Sequence, residues 1–142
     1  MLAVIRLRSI INAKPALRET LKLLRLNRIH HCILLSETPA NIGMLRMANN
    51  YVTWGAVSDD VLKALLLKRG RKSGDKRLTG AEVDAVLTAL KAGKKLKEVG
   101  IKPVFRLTPP SGGFYKEKKQ AFPNGELGNR KEKINDLLER MI

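Results

Sequence analysis

The amino-acid sequence predicts an α+β fold in which helices cover one small sheet. Three observations support this class: apolar residues alternate in the first segment, they recur three and four positions apart in the next, and the two patterns follow each other as β-α-β-α-β over the first 55 residues. With 142 residues, 44% of them hydrophobic, the chain is long enough for one domain with a buried core and an appendage.

The first strand is predicted over residues 2–8. Alternate side chains of a strand share a face, which places Ala3, Ile5 and Leu7 together. The opposite face carries Val4, Arg6 and Arg8. We therefore expect a half-buried strand with one face in the core and the other partly basic.

An amphipathic helix follows this strand. Pro15 suits its first turn, and helical spacing places three leucines and a threonine on one side: Leu17, Thr20, Leu21 and Leu24. The opposite side carries Arg18, Lys22 and Arg25, and the helix is expected to end near Asn27. The apolar run at residues 32–35 is then the second strand.

The third strand is predicted at residues 51–54, after a short helix over residues 42–50. Thr38 and Pro39 end the second strand, because a residue before proline avoids helical backbone angles. We interpret Met44, Met47 and Trp54 as core packing. Asn49, Asn50 and Tyr51 are either turn residues or contacts to an RNA backbone or base, and the sequence leaves both interpretations open.

The remaining chain is predicted to hold two helices, a strand and a final helix. Ser58 caps a helix that ends at Gly70, and Thr79 with Glu82 forms a capping box for a helix that ends at Gly93. A strand at residues 103–107 precedes a last helix with an apolar stripe at Ile134, Leu137, Leu138 and Met141. We divide the chain into a core, residues 1–57, and a C-terminal extension, residues 58–142, that packs on it.

The charge of the chain limits the class of its partner. Lys and Arg number 28 against 13 Asp and Glu, which gives a net charge of +15 and a pI near 10.4. Such an excess favours a polyanionic partner, either nucleic acid or an anionic membrane surface. No apolar run approaches the ~18 residues of a membrane-spanning helix, and the first residues do not form a secretion signal. The single cysteine, Cys32, is interpreted as a core residue in a reducing compartment.

The positive charges are gathered in clusters. Residues 68–77, "KRGRKSGDKR", hold six basic residues and one acid, and Lys94, Lys95 and Lys97 form a second group. The third cluster lies in residues 109–130, "PPSGGFYKEKKQAFPNGELGNR", which we call the strip. Because prolines, glycines and lysines dominate its first half, we expect the strip to have no structure of its own and to order on its partner. Phe114 and Tyr115 could stack on bases.

Candidate catalytic and metal sites are absent from the sequence. Gly70 and Ser73 lack the glycine spacing of a phosphate-binding loop, and the serines lack a nucleophile motif. His30 and His31 are adjacent, so they point in different directions, and no second group supplies further ligands. We therefore predict no catalytic residues, no metal and no cofactor.

Four segments together resemble a known family: "LAVIRLRS", "HHCILLSETPANIGMLRMANNYVTWG", "FRLTPPSGGFYKEKK" and "GELGNRKEKINDLLERM". The family is the large-subunit ribosomal proteins numbered thirty, in the long archaeal and eukaryotic form, whose eukaryotic member is numbered seven. Gly43-Met44 and residues 127–130 carry most of the resemblance, which runs along nearly the whole chain. The family usually has arginine before the Gly-Met and Gly-Gly pairs, where this chain has Ile42 and Ser111.

The resemblance implies a small ferredoxin-like β-α-β-α-β core with a helical and loop-rich C-terminal extension. It also implies a non-enzymatic, cytoplasmic component of the large ribosomal subunit, similar to the archaeal version, with no membrane or small-molecule partner. Its partners would be large-subunit ribosomal RNA, in a region near the 5S RNA, and neighbouring ribosomal proteins. The alternative is an RNA-modifying or processing factor that uses the same basic surface.

We predict contacts to the RNA backbone and its shape, with little base readout. The predicted contact residues are Arg6, Arg8, Arg28, Arg46, Lys68, Arg69, Arg71, Lys72, Lys76, Arg77, Gly112, Gly113, Lys116, Lys118, Lys119 and Arg130.

Overall fold

A computed structural model describes residues 1–11 and 13–142. Its strands are β1 (Leu2–Arg6), β2 (His31–Leu35), β3 (Val52–Ala56), β4 (Val104–Arg106), β5 (Glu117–Ala121) and β6 (Gly125–Asn129). Its α-helices are α1 (Pro15–Leu23), α2 (Pro39–Met47), α3 (Asp59–Arg69), α4 (Gly80–Lys91) and α5 (Ile134–Met141). A short 3-10 helix, Lys131–Lys133, leads into α5. The α+β class and the β-α-β-α-β order of the first elements are confirmed.

One six-stranded sheet runs through the molecule in the order β4-β2-β1-β3-β6-β5. The central strand β1 is antiparallel to both β2 and β3, and β2 is antiparallel to β4. β6 lies parallel to β3, and β5 pairs with β6 in an irregular register. Strands from residues after 58 therefore extend the early sheet at both of its edges.

Both faces of the sheet are covered by helices. On one face Leu2, Val4 and Ile33 pack with α1 and α2, and on the other Ala3 and Ile5 pack with α3, α4 and α5. Every residue of β1 is buried as a result. The prediction of a half-buried first strand was wrong. The face that carries Val4 is also buried, because helices α1 and α2 cover it.

Helix α1 ends four residues earlier than expected, through backbone geometry at Arg25. This residue has a φ of 59°, the left-handed conformation that ends many helices. The N–H of Arg25 donates to the carbonyl of Lys22 at 2.9 Å, and the N–H of Leu26 to that of Leu21 at 2.9 Å. These two bonds satisfy the last carbonyls of the helix, and Leu26 turns into the core.

Helix α2 begins at Pro39, three residues before the predicted start. Thr38 is its N-cap, and the Thr38 hydroxyl accepts a hydrogen bond from the N–H of Asn41 at 3.3 Å. Proline suits the first position of a helix, because its missing N–H would have no partner there. The Thr38-Pro39 pair therefore starts a helix, whereas the sequence had suggested only a strand end.

The methionines of α2 differ in their environments. Met44 and Trp54 are half-buried against the core, as predicted. The prediction was wrong for Met47, whose side chain is 61% exposed and receives the Thr20 hydroxyl at 3.2 Å. Met47 lies on the outer side of α2, which buries only Leu45 between its ends.

The helices of the C-terminal half match the sequence patterns. Gly70 caps α3, and the N–H of Thr79 donates to the carboxylate of Glu82 at 2.9 Å at the start of α4. In α5 the whole predicted apolar stripe is buried, and burial of each such side chain stabilises the fold by about 2 kcal/mol.

Cys32 is fully buried, and burial raises the pKa of its thiol to about 12. Within the described residues, no helix is both long and apolar enough to span a membrane.

Candidate nucleic-acid interface

The first basic cluster, residues 68–77, consists of the end of α3 and a short hairpin at residues 71–77, and we call the whole cluster the basic hairpin. Arg71 pairs with Arg77 across it, and the N–H of Lys72 donates to the carbonyl of Lys76 at 2.9 Å. Its tip is a tight turn in which Gly74 and Asp75 have φ of 82° and 64°. The carbonyl of Arg71 accepts from the N–H of Lys102 at 2.8 Å, which ties the hairpin to the chain before β4.

Three cations of the basic hairpin are engaged by the protein itself. Arg69 donates to the carbonyl of Ile142 and to the hydroxyl of Thr108, at 3.0 and 3.1 Å. Arg71 donates to the carbonyl of Asp75 at 2.9 Å, and Lys72 forms an ion pair with Glu82. The Lys72 ammonium and the N–H of Thr79 lower the pKa of the Glu82 carboxyl to about 2.

The other three cations of the basic hairpin are available to an outside partner. Lys68, Lys76 and Arg77 are exposed, and their side chains form no hydrogen bond or ion pair with residues 1–11 or 13–142. An ammonium or guanidinium without an internal partner breaks no bond within the protein when it turns to a phosphate. The basic hairpin therefore offers free positive charge at the surface.

The second half of the strip is part of the sheet, which corrects the expectation that the strip has no structure of its own. β6 lies beside β3, where the Thr53 hydroxyl donates to the carbonyl of Gly128 at 3.3 Å. Residues 125–128 are buried. At Gly125 a Cβ would lie 2.1 Å from the carbonyl oxygen of Gln120, so glycine is required there for close packing.

The first half of the strip is anchored on the end of α5. The N–H of Ser111 donates to the carbonyl of Arg140 at 2.9 Å, and the Arg140 guanidinium donates to the carbonyl of Gly113 at 2.8 Å. Gly112 and Gly113 have φ of 74° and 77°, which side-chain-bearing residues adopt only with strain. This turn therefore exposes backbone without side chains at the surface, and the hydrogen bond to Gly113 holds the Arg140 guanidinium next to it.

The aromatic residues of the strip are only partly free to stack. The Arg140 guanidinium lies 3.9 Å from the centre of the Tyr115 ring, which is 76% exposed. Phe114 is half-buried, and its ring centre lies 4.7 Å from the Lys118 ammonium and 6.3 Å from the centre of the His30 ring. Cations already cover one side of each ring, so a base could reach only the remaining side.

Strand β5 forms the exposed edge of the sheet. All five of its residues are exposed, including Lys118 and Lys119. Lys116, just before it, is held by the protein, because its N–H donates to the Glu126 carboxylate at 2.9 Å and its ammonium bonds to the carbonyl of Pro123. Lys118 and Lys119 are the cations that β5 itself presents to a partner.

Two predicted contact residues lie inside the protein. Arg6 is 3% exposed, and its guanidinium donates to the carbonyls of Leu26 and Arg8 at 2.8 and 2.9 Å. Arg130 is 8% exposed, forms an ion pair with Glu126 and donates to the Thr53 hydroxyl at 3.0 Å. Burial and then repulsion from Arg140 lower the pKa of Arg130 to about 10.

The layer of α1 and α2 carries a further basic surface. Arg8 lies 5.1 Å from the centre of the Tyr51 ring and donates to the carbonyl of Asn50 at 3.1 Å. Arg28 and Arg46 are exposed. Three exposed cations also lie on the outer side of α1 and at its end: Arg18, Lys22 and Arg25. They were not among the predicted contacts, although helical periodicity places them on one side of the helix.

The junction before β3 is a turn in which the side chain of Asn49 faces inward. The N–H of Tyr51 donates to the carbonyl of Ala48 at 2.9 Å, and the carbonyl of Tyr51 accepts from the N–H groups of Leu7 and Arg8. The Asn49 side chain lies against Gly128, where an added Cβ would come within 2.9 Å of its oxygen. The turn interpretation therefore accounts for Asn49, whereas Asn50 is exposed.

Comparisons with known proteins relate the chain to ribosomal proteins. The family model described as ribosomal protein L30p/L7e matches residues 2–52. Large ribosomal subunit protein uL30 of Methanosphaera stadtmanae is 42% identical, with all of both chains covered. The uL30 proteins of Methanothrix thermoacetophila and Methanococcus maripaludis strain S2 are 43% and 40% identical and cover 99% of this chain.

The chain belongs to the L30p/L7e family of ribosomal proteins. Because the relatives match along its full length, membership in the L30p/L7e family extends past residue 52 into the C-terminal half. The family resemblance stated from the sequence is confirmed. The prediction of a cytoplasmic ribosomal protein is confirmed with it.

The two departures from the usual L30p/L7e pattern lie in different settings. Ile42 is half-buried within α2, and Ser111 is exposed in the turn that Arg140 holds. The Arg140 guanidinium donates to the carbonyl of Ser111 at 3.2 Å, so a cation from α5 lies beside the position where the family resemblance leads us to expect an arginine.

Proposed function

We propose that this L30p/L7e protein is a structural component of the large ribosomal subunit that binds large-subunit ribosomal RNA through its basic surfaces. The names of its relatives support the first half of this statement, since each is a large ribosomal subunit protein. The second half depends on where the structure leaves positive charge without a partner.

The observation that carries the proposal is the imbalance between cations and available acids at the surface. Ion pairs between described residues engage Lys63, Lys72, Lys91, Lys102 and Arg130. Free lysines and arginines remain on the basic hairpin, on β5 and on the outer side of α1, in a chain of net charge +15. Phosphate groups at many points would neutralise these separated surfaces together, with release of counterions from the RNA.

A simpler explanation exists for β5 alone. Lysines on an exposed edge strand prevent other strands from pairing with it, and Lys118 and Lys119 would serve that purpose in any protein. Edge protection does not explain the basic hairpin or α1, because neither is a sheet edge. We therefore include β5 in the RNA interface together with these two surfaces.

The proposed mode of binding is contact with RNA backbone and shape. Exposed lysines and arginines reach phosphates, and the turn at Gly112 and Gly113 lets the protein backbone approach a sugar-phosphate ridge closely. The aromatic rings of the strip are partly covered by cations. We leave Arg6 and Arg130 out of this interface, because the protein already satisfies both guanidiniums.

The 5S RNA and neighbouring ribosomal proteins remain proposed partners on the strength of the family resemblance. The alternative of an RNA-modifying factor requires that the chain bind a nucleotide or a methyl donor. Calorimetry with adenosine triphosphate and with S-adenosylmethionine separates the two, because the structural role predicts no heat of binding from either compound.

The test of RNA binding is its dependence on salt. We expect the affinity for a large-subunit ribosomal RNA fragment to fall steeply between 50 and 200 mM salt, by ~10³-fold if about six phosphates are contacted. Lys118→Gln with Lys119→Gln should reduce the slope of log K against log salt by about 2. The matched control is Lys63→Gln, because Lys63 is paired with Asp84 at 2.7 Å. A binding constant that does not change with salt would refute the proposal.

We further propose that residues 1–57 are the core unit and residues 58–142 the extension. The end of the family match at residue 52 supports this division. A fragment of residues 1–57 would expose Ala3, Ile5 and Cys32, which α3, α4 and α5 cover in the full chain. We expect the isolated fragment to aggregate, because these apolar residues would be exposed to water. A monomeric fragment with native circular dichroism would contradict this expectation and show that residues 1–57 fold without residues 58–142.

A further inference from the structure

A cleft lies at one end of the sheet, apart from the basic hairpin, β5 and most of α1. Its volume is about 810 Å³, and it opens where β2 and β3 end, between the start of α3 and the end of α4. Leu34, Leu62, Leu90 and Leu96 form much of its wall. A volume of this size is large enough for several side chains or one small molecule.

A smaller cleft of about 230 Å³ continues the first one along β2. The two clefts share Arg25, Leu34, Leu35 and Pro103. The smaller cleft also includes Leu23, which is 73% exposed at the end of α1. Together they form an elongated apolar groove, which we call the leucine groove, and this shape fits an extended segment better than a compact ligand.

The rim of the leucine groove carries a net positive charge, because one arginine and four lysines line it against two acids, Glu37 and Asp59. Lys94, Lys95 and Lys97 stand on the loop after α4, and Arg25 stands on the opposite side. Lys91 is also on the rim, but Asp59 pairs with it at 2.6 Å. A cation near the end of a helix often interacts with the helix dipole, which accounts for Lys91 in the last turn of α4. The three lysines beyond the helix need another explanation.

We propose that the leucine groove binds an acidic segment of a neighbouring protein, whose leucine, isoleucine or phenylalanine side chains enter the groove while its carboxylates meet the rim lysines. Charge complementarity selects an acidic partner, and the aliphatic wall selects apolar side chains. This proposal assigns Lys94, Lys95 and Lys97 to a protein partner and not to RNA.

An unstacked RNA base is the competing occupant, and the groove is poorly suited to it. Proteins bind such bases by stacking them on aromatic rings or guanidinium planes. Among the described residues that line the two clefts, none is aromatic, and Arg25 is the single arginine. Leucine walls offer burial without stacking or hydrogen bonds to the base edges. The chemistry therefore favours a peptide.

The probe is a pool of twelve-residue peptides, each with four Asp or Glu residues and three Leu, Ile or Phe residues at varied positions. A comparison pool has Lys in place of the acids, and a twelve-nucleotide single-stranded uridine RNA is the third probe. Methyl NMR of the full chain follows the leucine signals. We expect the acidic pool to shift the signals of Leu34, Leu62 and Leu96, and the basic pool to leave them in place.

Charge-reversal variants locate the binding. Lys94→Glu, Lys95→Glu and Lys97→Glu together should weaken binding of the acidic peptides about tenfold or more. The matched control reverses three exposed lysines elsewhere, which changes the net charge equally: Lys68→Glu, Lys118→Glu and Lys119→Glu. We expect this control to keep peptide affinity within about twofold of the unmodified chain and to lose ribosomal RNA affinity.

A blocking variant tests the groove without changing charge. Ser36 is exposed at the mouth of the larger cleft, so Ser36→Trp should fill the opening and abolish the peptide shifts while the fold is retained. The proposal is overturned if the acidic pool causes no shifts, if Ser36→Trp leaves them unchanged, or if both triple variants lose peptide affinity equally. It is also overturned if the uridine RNA shifts the same leucine signals more strongly than the peptides. Failure of ribosomal RNA binding would leave this proposal intact.

Discussion

The sequence predicted Arg130 as an RNA contact, whereas the structure gives it a structural role in a buried ion pair. The substitution Arg130→Met tests which of the two roles is correct. The Arg130 guanidinium pairs with the carboxylate of Glu126, which is 2% exposed, and donates to the hydroxyl of Thr53. Methionine keeps much of the apolar volume but leaves Glu126 buried without a charged partner. The result expected from the structure is a loss of stability, whereas a phosphate-binding arginine would leave stability nearly unchanged.

The size of the effect follows from the burial of the pair. Removal of one partner from a buried ion pair typically costs about 3–5 kcal/mol, because the remaining charge is desolvated and unpaired. The N–H of Lys116 still donates to Glu126 at 2.9 Å, so we expect a value near the lower limit, about 3 kcal/mol. For a chain of this length, that corresponds to a decrease in Tm of about 10 °C.

A second substitution removes the buried carboxylate charge that Arg130→Met leaves unpaired. Glu126→Gln in the Arg130→Met background removes the unpaired charge and keeps an oxygen for the N–H of Lys116. We expect the double variant to recover about half of the lost free energy of unfolding, since replacing both partners of a buried pair is often nearly neutral. The control is Arg106→Met, because Arg106 is exposed on β4 and its loss should change stability by less than about 0.5 kcal/mol.

The assay is thermal unfolding and urea unfolding, each followed by circular dichroism and by the fluorescence of Trp54, the single tryptophan of the chain. Trp54 reports on this region directly, because its carbonyl accepts from the N–H of Arg130 at 2.8 Å. RNA binding by the folded variant should keep the salt dependence of the unmodified chain. A decrease in Tm of less than about 2 °C, with a salt slope reduced by about 1, would refute the structural assignment and return Arg130 to the RNA interface.

Three further predictions concern stability and reactivity. Gly55→Ala should lower the free energy of unfolding by about 1–3 kcal/mol in urea titrations, because the added Cβ would lie 2.0 Å from the carbonyl oxygen of Lys131, whereas Gly43→Ala, with nothing within 4 Å, should not. Cys32 should react with a thiol reagent only at the rate of unfolding, since burial raises its pKa to about 12 and removes the sulfur from solvent. Burial and nearby arginines lower the pKa of His31 in the folded state, so the contribution of His31 to stability is present above its ordinary value of 6.5 and is lost as pH falls below it. Unfolding measured between pH 7.5 and 5 should therefore show a weaker pH dependence for His31→Gln.

The elements that the sequence predicted best are those whose signal is local. The stripe of α5 repeats at helical spacing within eight residues, and each of its apolar members is buried. The capping box of Thr79 and Glu82 lies within four residues and starts α4 at the expected place. Because these patterns depend on one helix and one face, they require no knowledge of the rest of the fold.

The elements that the sequence missed depend on partners far along the chain. β6 contains two glycines and a glutamate, a composition that argues against a buried strand, yet it lies beside β3 about 75 residues earlier. The charge of Glu126 is tolerated there because Arg130 and the N–H of Lys116 satisfy it. Nothing in the local sequence shows that pairing, so the strip was predicted to be without structure.

The candidate site shows the same division between local and distant information. Sequence reasoning identified the basic clusters correctly as exposed cationic surface for most members, since charge density is a local property. It did not distinguish Arg6 and Arg130, whose partners Leu26 and Thr53 lie on other elements. It also did not separate Lys68 from Lys72, because the Glu82 that engages Lys72 lies across a turn and at the start of a helix.

The covering of both sheet faces determines how a protein of this fold can meet RNA. Sheet-based RNA-binding domains stack bases on aromatic residues of an open sheet face. Here α1 and α2 cover one face, and α3, α4 and α5 cover the other, so the central strands present no surface to a base. The RNA contact that we propose is therefore limited to helix exteriors, the basic hairpin and the edge strand β5, which carry lysine and arginine and few free rings. An interface of this kind holds an RNA by its phosphates and shape, which suits a protein that stabilises a fixed RNA fold more than one that selects a sequence.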